Sequence, residues 1–95
     1  MGQGQSSYPF ITMTQKSPPN LSDTAKSIVI GGLYEHYKKL RYRVLAIARH
    51  SESLEEMVVY QALYGDGGVW VRPLAMFVEN ILFEGKLQPR FAFVE

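Results

Sequence analysis

Trp70 and Arg72 are separated by one residue in Val69-Trp70-Val71-Arg72-Pro73, and His50 and Gln61 precede them on neighbouring segments. A guanidinium beside an amide and an indole offers a planar donor fork, a donor–acceptor pair and a stacking wall. That combination suits a carboxylate, a phosphate or a base. The expected site is therefore a ligand-binding one made of His50, Gln61, Trp70 and Arg72, with no catalytic residue assigned. Plainer roles are open to its members. Trp70 can be the anchor of a small core, where large aromatics dominate, and Arg72 can cap carbonyls or pair with Glu52, Glu55 or Glu56.

Two further chemistries compete. His36 and His50 are the only histidines, and a general base near neutral pH would be one of them, so a small enzyme using His50 as acid or base is one alternative. Contiguity argues against a triad in His50-Ser51-Glu52, because adjacent strand residues point to opposite faces. The plainer reading is that Ser51 and Ser53 make side-chain turns, with a capping box in Ser53-Leu54-Glu55-Glu56. The other alternative is a single-stranded nucleic-acid module, in which the cations Lys38, Lys39, Arg41, Arg43 and Arg49 interleave with aromatic platforms such as Tyr60 and Tyr64. Solvated Lys and Arg beside Tyr are also ordinary on an exposed strand. No metal is expected, since there is no cysteine and no His-x-x-His spacing. No cofactor is expected either. Gly65-Asp66-Gly67-Gly68 lacks the Lys-Ser/Thr and the following helix of a phosphate loop and reads as a hairpin turn.

Strands must hold these side chains in place. β-branched and aromatic residues alternate with polar ones across Leu33–Lys38, Arg41–His50, Met57–Tyr64 and Val69–Arg72. Pro73 starts a helical turn through Leu74–Phe77. A last pair, Val78–Phe83 and Arg90–Val94, is joined through Glu84-Gly85-Lys86. The turns set a register in which His50 faces Met57, Tyr64 faces Val69, and Gln61 faces Arg72, so that Gln61, Trp70 and Arg72 share one face. The fold expected is all-β, a small, strongly bent SH3-like barrel of about five strands with one short helical turn. Helical spacing of Leu74, Phe77, Val78, Ile81 and Leu82 leaves an α+β alternative, with 74–84 as helix.

The chain has 95 residues, 46% of them hydrophobic, enough for one domain with one core. Met1–Ser27 is rich in Gly, Gln, Ser, Thr, Pro and Asn and reads as a disordered leader, with a short apolar island at Tyr8–Ile11; residues 28–95 form the domain. A net charge of +1 makes neither nucleic acid nor an acidic membrane an obligatory partner. With no apolar run long enough to span a bilayer and no cysteine, the expectation is a soluble cytoplasmic protein. The partner expected is a small-molecule or peptide ligand, with nucleic acid possible and no membrane; the oligomeric state is open.

The segments GLYEHYK, YRVL, ARHSESLEE, VVYQALYG and WVRPLAMF together resemble a bacterial family of small proteins catalogued as domain of unknown function 1653. The resemblance runs in order through about half the chain. It implies a compact, mostly β domain and brings no established activity, substrate or catalytic residue. It also draws attention to His36, His50, Glu52, Gln61, Arg72 and Pro73.

Overall fold

The computed structural model describes residues 20–95. Its elements follow in the order α1 (Asp23–Lys26), β1 (Leu33–His36), β2 (Arg41–Arg49), β3 (Glu56–Ala62), β4 (Val69–Pro73), α2 (Leu74–Phe77), β5 (Asn80–Phe83), β6 (Lys86–Pro89) and β7 (Phe91–Phe93). The domain is all-β, with two single helical turns. Five strands form one antiparallel sheet in the order β4-β3-β2-β1-β7, and β5 and β6 form a separate ribbon. The expected barrel is not closed. β4 and β7 lie at opposite edges of the sheet, and the ribbon that follows β4 pairs only with itself.

That ribbon corrects the last strand pair. Glu84 and Gly85 both have positive φ, 54° and 74°, the two-residue turn geometry that matches the right-handed twist of a hairpin. Phe83 therefore faces Lys86, and β5 pairs with Lys86–Pro89. Phe91–Phe93 pairs instead with β1. The one-turn helix begins at Leu74 as expected, with Pro73 at its N-cap and Val78 at its C-cap. The helical spacing beyond Phe77 produces no longer helix.

One face of the sheet carries the core. Tyr34, Tyr42, Val44, Val58, Tyr60, Ala62 and Phe91 are buried there against Leu74 and Phe77 of α2 and Ala25 and Ile28 at α1. In β2 the buried side chains fall on even positions up to Val44. The register shifts between Val44 and Ala46, so Leu45 is an extra residue and burial passes to the odd position of Ile47. Phe77 is the deepest large side chain, stacked on Phe91 with ring centroids 4.2 Å apart and planes within 6°. Residues 21–28 are part of this packing. Ser22 caps α1 by accepting from the Ala25 N–H, and its own N–H and hydroxyl donate to the Glu56 carboxylate at 2.7 Å each. Residues 1–19 of the expected leader, with Tyr8–Ile11, lie outside the described residues.

Candidate ligand-binding site

The pairing of β3 with β4 decides which side chains meet. Tyr60 faces Trp70, Val58 faces Arg72 and Gln61 faces Val69, three residues from the register expected from the turn. An odd shift reverses the faces. Trp70 and Arg72 therefore share the core face with Tyr60 and Tyr42, whereas Gln61 is on the opposite face. Gln61 serves the loop there, its Nε2 donating to the Gly67 carbonyl at 2.9 Å. The shift arises because Leu63 and Tyr64 leave the ladder and join a six-residue loop, with Gly65 and Gly67 at positive φ.

Around Trp70 and Arg72 the structure builds a small cleft of about 190 Å³, lined by Tyr42, Tyr60, Tyr64, Trp70 and Arg72. Arg72 Nε donates to the Tyr60 hydroxyl at 3.2 Å, and the guanidinium lies 5.8 Å from the Phe91 ring centroid. The hydroxyls of Tyr42 and Tyr64 are 2.5 Å apart, and their rings meet edge to face. Burial, then the Tyr64 hydrogen bond, pushes the Tyr42 phenol up to about 12, so it is a neutral hydrogen-bonding group in any physiological buffer. Trp70 is 59% exposed. It forms the open wall of the cleft, and the anchoring role that it could have had in the core belongs to Phe77. Arg72 pairs with none of Glu52, Glu55 or Glu56; among the described residues the ion pairs are Arg41–Glu35 and Arg90–Glu79.

His36, on the same face, stands next to this cleft, 4.9 Å from Phe91 and 6.4 Å from Tyr42 between ring centroids. Its Nδ1 accepts the Lys38 N–H. Burial, and then the positive charges of Arg72, Arg90 and Lys38, hold its pKa below 6.5. Three cations thus act on one point, and Arg90 Nε is buried without a hydrogen-bond partner.

His50 is not part of the cleft. It is exposed one residue past the end of β2, and the β3 residue at that end, Glu56, is four positions from Tyr60, about 13 Å along a strand. Its Nδ1 accepts from the Glu52 and Ser53 N–H groups, so the ring ties its own turn. Ser53 makes the expected side-chain turn, accepting from the Glu55 N–H, but no helix follows to use a capping box.

The basic run is not gathered on the aromatic face either. Arg41 and Arg43 alternate with Tyr42 and point to the other side, where Arg41 pairs with Glu35 and Arg43 donates to the Gly31 carbonyl. Arg49 donates to the Leu54 carbonyl. Lys38 and Lys39 are exposed in the β1–β2 turn. No group of three or more His, Asp or Glu among the described residues is placed to hold a metal, and no helix there is long and apolar enough to cross a membrane.

Residues 32–93 match a family described as protein of unknown function, DUF1653. The chain belongs to that family. A crystal structure of a DUF1653 protein from Bordetella bronchiseptica is similar to it, with 36% sequence identity and a TM-score of 0.67 over 74% of this chain and 91% of that one. No curated protein matches the chain. The DUF1653 span contains every residue of the cleft and both arginines around His36, whereas α1 and its clamp on Glu56 begin before it. Phe91, on which Phe77 and the Arg72 guanidinium pack, is the neighbour of the cleft that sequence reasoning passed over. Nothing local marked Phe91, whose place depends on β7 pairing with β1.

Proposed function

We propose that this DUF1653 domain is a non-catalytic binding module for a small anionic group, a carboxylate or phosphate, carried on a planar or apolar body. The observation that supports this most is Arg72. Its guanidinium has no carboxylate partner among the described residues, is held by a tyrosine hydroxyl, and opens onto a cleft walled by an exposed indole and three phenols. A guanidinium oriented in this way presents its remaining N–H groups as a fork for an oxyanion. The cleft is smaller than a drug-sized pocket, so it would take the charged end of the ligand and one ring against Trp70, with the rest in solvent. A carboxyl-terminal peptide end and a nucleotide phosphate share this chemistry. A chain without cysteine fits a reducing cytoplasm.

Larger depressions serve this role less well. The one between α1 and α2, of about 430 Å³, is lined by Glu55 and Glu56 with Ser22, Leu74 and Val78, and its carboxylates would repel an anion.

A thermal-shift series with inorganic phosphate, a nucleoside monophosphate and benzoate tests the proposal. A ligand at a hundred times its Kd adds about 2.7 kcal/mol to stability. Stabilisation by at least one anion, lost in Arg72→Ala while that variant stays folded, is expected. Equal stabilisation of both proteins would remove Arg72 from the site.

A further inference from the structure

The outer edge of β4 has the properties of a self-pairing strand. Ala62 N–H donates to the Gly68 carbonyl, which fixes the phase of the ladder: Gly68, Trp70 and Arg72 turn their backbone groups toward β3, and Val69, Val71 and Pro73 turn theirs outward. No strand among the described residues pairs with that edge. Val69, Trp70 and Val71 are more than half exposed, and the strand carries no lysine; its protections are the Arg72 charge on the core face and Pro73 at its end, which leave the Val69–Val71 stretch open.

We infer that β4 pairs antiparallel with β4 of a second copy of this chain, about a two-fold axis at Val71. In that register the two Val71 residues exchange both backbone hydrogen bonds. Each Val69 N–H meets the partner copy's Pro73 carbonyl, while proline, having no N–H, leaves each Val69 carbonyl to solvent, so the Val71 pair carries most of the backbone hydrogen bonding. Trp70 of each copy falls opposite the other copy's Arg72 as a non-hydrogen-bonded pair, the closer of the two kinds. An indole there covers the arginine stem, and the guanidinium gains a cation–π neighbour. Glycine at 68 meets the start of the other copy's α2 with no side chain to obstruct it. Like charges do not face each other anywhere in the pairing, since Arg72 is the only charged residue in β4. The second copy would thereby complete the open wall of the Trp70–Arg72 cleft. The dimer itself does not depend on any ligand.

Five residues of edge strand bury less than a standard stable interface, so the association should depend on concentration. Sedimentation velocity on the full chain from micromolar to millimolar concentration is expected to show a monomer–dimer equilibrium, with a blue shift of Trp70 emission following the dimer. Val71→Pro removes the central outward N–H at a position where the monomer does not use it, and it should weaken dimerisation at least tenfold. Val71→Lys, an exposed substitution, should do the same and serves if the proline variant fails to fold. A wild-type chain that stays monomeric to millimolar concentration would overturn the inference. So would a dimer that Val71→Lys leaves intact, which would place the contact elsewhere, for instance at the exposed Leu82–Leu87 pair of the β5–β6 ribbon.

Discussion

Phe77→Ala should be the most damaging single truncation in the domain. Its ring is 1% exposed, stacked on Phe91 at 4.2 Å and angled against Tyr34 at 5.4 Å and Tyr60 at 5.6 Å. Removing a buried phenylalanine ring costs about 3–5 kcal/mol, since the transfer free energy is lost and a cavity remains. Phe91, Tyr34 and Tyr60 would each lose one of their ring partners, and each such pairing is worth about 0.5–1.5 kcal/mol beyond area. That places this case near the upper end, at about 4 kcal/mol. Against a typical total of about 5–15 kcal/mol, that is a large fraction of the stability. For a domain of this size it corresponds to a fall in Tm of about 20 °C. The assay is urea and thermal unfolding followed by circular dichroism, because the exposed Trp70 is a weak reporter of unfolding. Met76→Ala, at a 44% exposed neighbouring position, is the control and should change stability by less than about 1 kcal/mol. Because Phe91 lies under both Phe77 and the Arg72 guanidinium, the truncation should also broaden or move the Trp70 indole resonance. A loss below about 1.5 kcal/mol would show that the ring is not the centre of the core.

Ser22→Ala should destabilise by about 1 kcal/mol through the lost helix cap and should move the Glu56 titration upward, toward its ordinary value, since both Ser22 hydrogen bonds now hold that carboxylate low; carboxyl NMR shifts against pH read it directly. In wild type the same contact favours folding above the ordinary glutamate range and is lost as pH falls through the lowered native value. His36 should titrate below 6.5 by imidazole NMR. The unfolded chain binds the proton first, so this contribution to stability is complete above pH 6.5 and declines as pH falls toward the native value; a His36 titrating at or above 6.5 would contradict the packing described. Gly32→Ala should destabilise by about 1–3 kcal/mol, because the added Cβ would fall 2.8 Å from the Val29 carbonyl oxygen and 3.0 Å from the Phe93 ring; unfolding midpoints measure it.

Local chemistry made the elements legible. β-branched and aromatic runs gave β2, β3 and β4 to within one or two residues, and Pro73 marked the helical turn. What the sequence did not show was how those strands are phased. The register depends on where a ladder ends, and Tyr64 looks like a strand residue although its hydroxyl binds Tyr42 from a loop. The Leu45 bulge has no signature of its own. The early end of β3 moved Gln61 to the opposite face, and His50 ends up at a distant turn, so only Trp70 and Arg72 of the four expected site residues come together. The last hairpin was misassigned for a similar reason. Gly85 correctly signalled a turn, but Glu84 adopting positive φ beside it made the turn two residues long, which freed Phe91–Phe93 to pair with β1.

The most direct test of the Arg72 cleft is an NMR titration that follows the Trp70 indole N–H and the Arg72 Nε–H as an anion series is added. Both resonances are expected to move together and to saturate with one affinity for a carboxylate or phosphate on a ring, and Tyr60→Phe should weaken that affinity by removing the hydroxyl that orients the guanidinium. Anions that leave both signals in place while shifting residues elsewhere on the sheet would contradict a site at Arg72.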